Sequence, residues 1–180
     1  ASWPRLGSDG GWVDALAREG IAVSRLRPSN CGFHVAWSDR MREGFAGQPL
    51  KTIALKFDGH RVRGEAVITR DGLEGGAIYT LSPVLREAID QAGEAMLSVD
   101  LLPDMDVDET ALRLNAPRGK QSLSNVLRKT LSLSPAAIAL AQEVTKGKLG
   151  TLAIDAMAVL LKGVPVTLTG VAPIDRAISS

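Results

Sequence analysis

Between residues 50 and 57 the chain alternates: Ile53, Leu55 and Phe57 fall on one side, Thr52, Ala54 and Lys56 on the other. A period of two predicts a half-buried strand. Asp58-Gly59 follows, a pair that tolerates the positive φ of a tight turn, and predicts a hairpin. The return strand over 61–69 puts Val62, Gly64, Ala66 and Ile68 on one face, opposite Arg63, Glu65, Val67 and Thr69. Shorter apolar runs predict strands over 21–26, 34–37, 77–81, 95–101 and 164–168. The turn composition Pro28-Ser29-Asn30-Cys31-Gly32 separates the first two of these.

Elsewhere the period is helical. Trp12, Val13, Leu16 and Ala17 share one face of a helix over 10–19, with Asp9 as its cap and Gly20 at its stop. A helix over 84–92 is stopped by Gly93. From Pro103 to Gly163 the pattern predicts four more, over 107–114, 122–131, 135–144 and 149–162. Leu123, Val126, Leu127 and Leu131 mark the second, and Pro135 suits the first position of the third.

Strands first, then four helices, then a returning strand predict an α+β fold. A β-barrel-like lobe is expected from 21–102 plus 163–175, with a small all-helical lobe inserted at 103–162. Closing the sheet into a barrel removes exposed strand edges, which makes that arrangement physically attractive.

Composition narrows the class. With 45% hydrophobic residues, 23% charged and a net charge of +1, the chain has the makeup of an ordinary folded protein rather than a disordered one. A single cysteine, Cys31, allows no internal disulfide and fits a reducing compartment such as the cytoplasm. The longest apolar run, 149–161, carries Asp155 and falls short of the ~20 residues that span a bilayer, so no membrane segment is expected.

Charge is segregated. Residues 83–112 hold eight acids against Arg86, and residues 113–148 hold seven bases against Glu143. The basic stretch on short helices raises a nucleic-acid-binding module as the alternative function. No aromatic residue interleaves those bases to stack on nucleobases, so a solvated face or an internal partner for the acidic stretch is the favoured reading.

Other chemistry is sparse. Cys31 and His34 have a ligand-like spacing, but a structural zinc wants four ligands and only His60 remains, so no metal is expected. Nucleophilic chemistry at Cys31 would need a lowered pKa and a partnered base; a small buried residue is the simpler reading. Neither GxGxxG nor a phosphate-binding GxxxxGK[ST] loop occurs. Gly7-Ser8-Asp9-Gly10-Gly11 reads as a helix cap, or as a glycine-rich approach to a helix whose amides meet a phosphate. The glycines of 72–76 permit positive φ or close approach of a backbone or ligand, or else a bulged loop joining two strands.

Three blocks carry a resemblance: Gly64-Glu65-Ala66-Val67-Ile68-Thr69-Arg70-Asp71-Gly72-Leu73-Glu74-Gly75-Gly76-Ala77-Ile78-Tyr79, then Gly119-Lys120-Gln121-Ser122-Leu123-Ser124-Asn125-Val126-Leu127, then Pro173-Ile174-Asp175-Arg176-Ala177-Ile178-Ser179. Together they resemble the middle of the BaiN-like (also called YhiN-like) NAD(P)/FAD-dependent oxidoreductases. That resemblance implies an insert, a barrel plus a small helical bundle, set into an FAD-binding Rossmann-type domain. Residues 1–20 and 176–180 would then be stubs of that domain, in keeping with a chain that opens on Ala1 rather than Met.

The resemblance also implies roles. The stretch from Ala1 to Gly10 is similar to the family segment that runs beside the cofactor, which would put Ser2, Trp3, Pro4, Gly7 and Gly10 nearest FAD. The full-length parent would bind FAD and pass hydride between a nicotinamide and a small organic acceptor. This chain would supply a wall or lid on the substrate side, hold no cofactor alone and be inactive alone; its partner would be the FAD-binding domain. No catalytic residue is assigned. Many members read Thr-His-x-Gly-x-Ser-Gly-Pro where this chain has Thr69-Arg70-Asp71-Gly72-Leu73-Glu74-Gly75-Gly76, so no role of the family histidine passes to Arg70.

Overall fold

The hairpin forms as the pattern predicts. In the computed structural model, β2 (Pro49–Phe57) and β3 (His60–Ile68) pair antiparallel around Asp58 and Gly59, whose φ values are 44° and 75°. The structure describes Pro4, Gly7, residues 9–117 and residues 119–179. On β3 the predicted inner face holds, with Ala66 and Ile68 buried and Arg63 and Glu65 outside. On β2 the alternation breaks. The register shifts between Leu50 and Ile53, Thr52 takes a φ of 52°, and Ile53, Ala54 and Leu55 are all buried. Helices α3 (Gly76–Ala92) and α6 (Pro135–Val144) both pack on this strand, which buries its middle while Lys51 and Thr52 stay exposed.

The remaining strands are β1 (Phe33–His34), β4 (Gly72–Glu74), β5 (Ala95–Asp100), β6 (Val164–Leu168) and β7 (Gly170–Val171). Every neighbouring pair is antiparallel, in the order β6-β5-β2-β3-β4-β1-β7. The two outermost strands are separated in the chain by Thr169 alone. One run therefore pairs with β5 at its start and β1 at its end, and the Thr169 amide donates to the His34 carbonyl at 2.9 Å. This closes the sheet on itself and, among the described residues, leaves no long unpaired edge.

Closure accounts for one departure. Residues 21–26, expected as a strand, pair with no strand among the described residues, because both edges of the sheet are already joined to each other. The run expected over 34–37 contributes only β1; Trp37 instead turns its indole to donate to the Gly72 carbonyl at 3.2 Å.

The largest departure is at 77–81. These residues are not a strand but the first turns of α3, which joins them to 84–92 in one helix of 17 residues with Pro83 inside it. Ala77, Ile78, Leu81, Ser82, Leu85 and Ile89 form its buried stripe, a 3.6-residue period that an apolar run followed by proline conceals. The glycine cluster is thus a strand-to-helix junction rather than a loop between strands. α3 touches β2, β3, β4, β5 and β7, and so fills the interior of the closed sheet.

Four helices lie between β5 and β6: α4 (Val107–Leu114), α5 (Leu123–Thr130), α6 and α7 (Ile154–Leu161). Asp106, Ser122 and Ser134 accept from the amides of Glu109, Asn125 and Ala137, so the first three starts are set by side-chain caps. The fourth is shorter than expected: Leu149–Thr151 form a 3-10 turn before α7, around Gly150, a poor helix former. One connected set of buried side chains runs from Leu55, Leu97 and Val99 of the barrel to Leu127, Leu140 and Met157 of the helices. Near the N-terminus, α1 (Gly11–Arg18) buries none of its residues and Trp12 is 51% exposed. Among the described residues no helix is long and apolar enough to cross a membrane.

Candidate functional site

Two places draw chemistry-bearing side chains together. The first is a cleft between the barrel and the helices. Ser38 caps α2 (Asp39–Gly44), and both its amide and its hydroxyl donate to the Glu143 carboxylate of α6, at 2.6 and 2.7 Å. A carboxylate there also meets the positive end of α2. This tie fixes α2 against the end of α6 and leaves a cavity of about 830 Å³ between them and β6. Trp37, Met41, Met96, Ala139, Val144 and Val166 give it apolar walls; Arg40, Gln142, Lys146 and Thr167 give it polar ones.

The second place is the junction that the glycines form. A Cβ built on Gly72 would overlap the carbonyl oxygen of Phe33, and Gly75 combines a φ of 113° with a would-be Cβ only 3.1 Å from Ala66 Cα. Close backbone approach is what these two glycines permit. Arg176 reaches across to Glu74 at 2.7 Å and Asp71 at 3.7 Å. In the first turn of α3, burial and the Glu74 carboxylate push the Tyr79 phenol up.

Beside that junction the incoming and outgoing segments run together. Ser29 N–H donates to the Ser179 carbonyl at 2.8 Å, Ile178 N–H to Asn30 at 2.7 Å, and Ala172 N–H to Gly32 at 2.9 Å. Arg27 pairs with Asp90, and Arg86 donates to the Pro28 carbonyl, which fastens the incoming segment to α3.

Cys31 is buried among these contacts. Burial pushes its thiol up, outweighing the Ser82 hydroxyl and the Arg86 charge. A thiol held neutral is a poor nucleophile at neutral pH. Among the described residues no group of three or more His, Cys, Asp or Glu is arranged to hold a metal.

Of the residues expected nearest FAD, Ser2 and Trp3 lie outside the described residues. Pro4 and Gly7 are exposed; Gly7 has a φ of 91° and nothing within 4 Å of a would-be Cβ. Gly10 precedes α1 in the left-handed region, and the Asp9 carboxylate accepts from the Gly11 amide at 2.9 Å.

A family model described as HI0933-like protein barrel and H2TH domain matches residues 27–179. The chain belongs to this family. The HI0933-like barrel and H2TH domain is the insert region of the BaiN-like flavoproteins, which agrees with the resemblance carried by the three sequence blocks. No curated protein matches the chain. In this HI0933-like chain the matched span opens at Arg27, where the incoming segment docks on α3, and ends at Ser179, which accepts from the amides of Ser29 and Asn30.

Sequence reasoning passed over the cleft. Arg40, Met96, Lys146 and Thr167 come from four separate elements or loops, and no local spacing links them. One signal was present: Glu143 is the lone acid among the bases of 113–148, and it is the acid that ties α6 to α2.

The charge segregation resolves differently from a simple pairing of the two stretches. Asp104 pairs with Arg63 of β3 at 2.6 Å, and Asp100 with Lys56 and Lys162. Among the described residues, only Arg113, paired with Glu109 within α4, joins the two stretches by an ion pair.

Proposed function

We propose that this chain is the substrate-side insert of an FAD-dependent oxidoreductase linked to NAD(P)H, acting in the cytoplasm. Membership of the HI0933-like family over residues 27–179 carries the reading. The side-by-side incoming and outgoing segments support it, since an insertion leaves and rejoins its host at neighbouring points. In this reading residues 1–20 and 176–180 belong to the host domain, 21–102 with 163–175 form the barrel lobe, and 103–162 the helical lobe. Ser2, Trp3, Pro4, Gly7 and Gly10 lie against FAD once the host domain completes the site.

The flavin, when bound by the host, supplies hydride transfer. The residues of this chain exclude water and shape the acceptor side. The helical lobe is the wall or lid, and the small-molecule acceptor lies beneath it. Alone the chain is inactive.

Flavin retention tests this. After incubation with FAD and desalting, the isolated chain keeps no flavin absorbance, whereas the chain extended by its flanking coding sequence on both sides keeps about one flavin per chain. Tight retention by the isolated chain, or none by the extended one, overturns the proposal.

A further inference from the structure

We propose that the cleft between α2, α6 and β6 is itself a binding site for an apolar molecule carrying an anionic group, a carboxylate or sulfonate on a hydrophobic body. The proposal needs nothing from the flavoprotein reading, since every residue involved belongs to this chain.

Size and lining point to a small molecule. Ligand sites usually enclose ~300 to 1,000 Å³ behind mostly apolar walls with a few convergent polar groups, and this cavity of about 830 Å³ has that character. Met96, on β5, is 55% exposed and lines the edge of the cleft, where its sulfur accepts from Thr167 Oγ1 at 3.8 Å; it also borders the hollows beside Phe57 and Asp58. A flexible thioether left wet in a concave site adapts to a hydrophobic body of irregular shape.

Charge points to an anion. The ionisable residues lining the cleft are Arg40, Glu143 and Lys146. Both oxygens of Glu143 are engaged by Ser38. Arg40 and Lys146 take part in no ion pair among the described residues. Arg40 and Lys146 both line this cleft, and a guanidinium binds an oxyanion by a two-pronged contact whereas an ammonium acts as a point charge. The competing account is that Lys146 only complements the negative end of α6 and Arg40 only faces water. That account gives no preference for a ligand's charge.

The experiment uses two fluorescent probes on the purified chain: anilinonaphthalene sulfonate, and the neutral N-phenyl-1-naphthylamine of similar shape. Saturable binding of both is expected. The R40A/K146A double variant weakens the sulfonate about tenfold, as two partly exposed charge contacts would, and leaves the neutral probe within about twofold. Filling the cleft by Thr167→Trp abolishes both, with Gln142→Trp as the second filling variant if the first does not fold. Binding that survives cleft filling belongs to another surface, such as the exposed Trp12 of α1, and overturns the proposal. Equal loss or equal retention of the two probes in R40A/K146A overturns the anionic half of it.

Discussion

Asp100 at the end of β5 and Lys162 just past α7 form an ion pair of 2.9 Å, with side chains only 2% and 12% exposed. They close the neck of the helical insert: the chain leaves the barrel at the first and returns at the second. Leu101 N–H donates to the Leu161 carbonyl at 3.0 Å beside them, and the Asp100 carboxylate also accepts from Leu102 N–H at 3.1 Å and faces Lys56 at 3.5 Å.

Because Asp100 serves three partners and Lys162 fewer, the two truncations differ. Asp100→Ala leaves an ammonium without its carboxylate in a poorly hydrated place and lowers stability by about 3 kcal/mol. Lys162→Met keeps the aliphatic stem and leaves Asp100 with Lys56 and an amide, and lowers it by about 1 kcal/mol. Urea denaturation of the two variants checks the order. No loss in either variant would mean that the neck is held by backbone pairing alone.

Glycines 72 and 76 respond in opposite directions to the same methyl group. At Gly72 a Cβ overlaps backbone of β1, which cannot swing aside as a side chain would, so Gly72→Ala costs more than about 4 kcal/mol or prevents folding. At Gly76, in the first turn of α3, a Cβ meets nothing within 4 Å. Gly76→Ala therefore stabilises by about 0.5 kcal/mol through reduced freedom of the unfolded chain. Thermal melts of both variants give the comparison.

Cys31 makes stability depend on alkaline pH. Its folded pKa lies above the unfolded value of 9.0 because burial disfavours the thiolate. The unfolded chain therefore releases this proton first as pH rises. The contribution is fully present below 9.0 and is lost as pH rises from there through the folded pKa. Cys31→Ala flattens that alkaline decline. At neutral pH the thiol reacts with a disulfide reagent only as fast as the protein opens, measured as labelling that accelerates in step with denaturant.

Much of the fold is legible in the chain because its signals are local. The Asp58-Gly59 turn fixes one hairpin, and the Asp106, Ser122 and Ser134 caps fix three helix starts within a residue. Of α3 only the second half, 84–92 with its Gly93 stop, is legible: Ala77, Ile78 and Leu81 satisfy a strand's apolar run as well as a helix stripe, and Pro83 looks like a boundary when read alone. The closure of the sheet through Thr169 depends on pairing His34 with residues more than a hundred positions later, which no local pattern encodes. The cleft is illegible for the same reason, whereas the glycine junction could be located but not assigned to a helix start.

Glu143 ties the start of α2 to the end of α6. It lies near the end of α6, yet both its oxygens are spent on Ser38, the residue that starts α2. Helix α2 has only six residues, too few to hold together by its own propensity. Its start depends on this reach across the cleft. Glu143→Ala should lower global stability by about 1 kcal/mol, the scale of a solvent-accessible cap with charge-assisted hydrogen bonds. It should raise amide hydrogen exchange in α2 far more than in α5, which has its own Ser122 cap. Ser38→Ala removes the hydroxyl half of this contact and leaves the amide half, so the double variant should cost less than the two single losses added together. Strict additivity would mean that the two helices are positioned by the apolar packing of Met41 and not by this carboxylate.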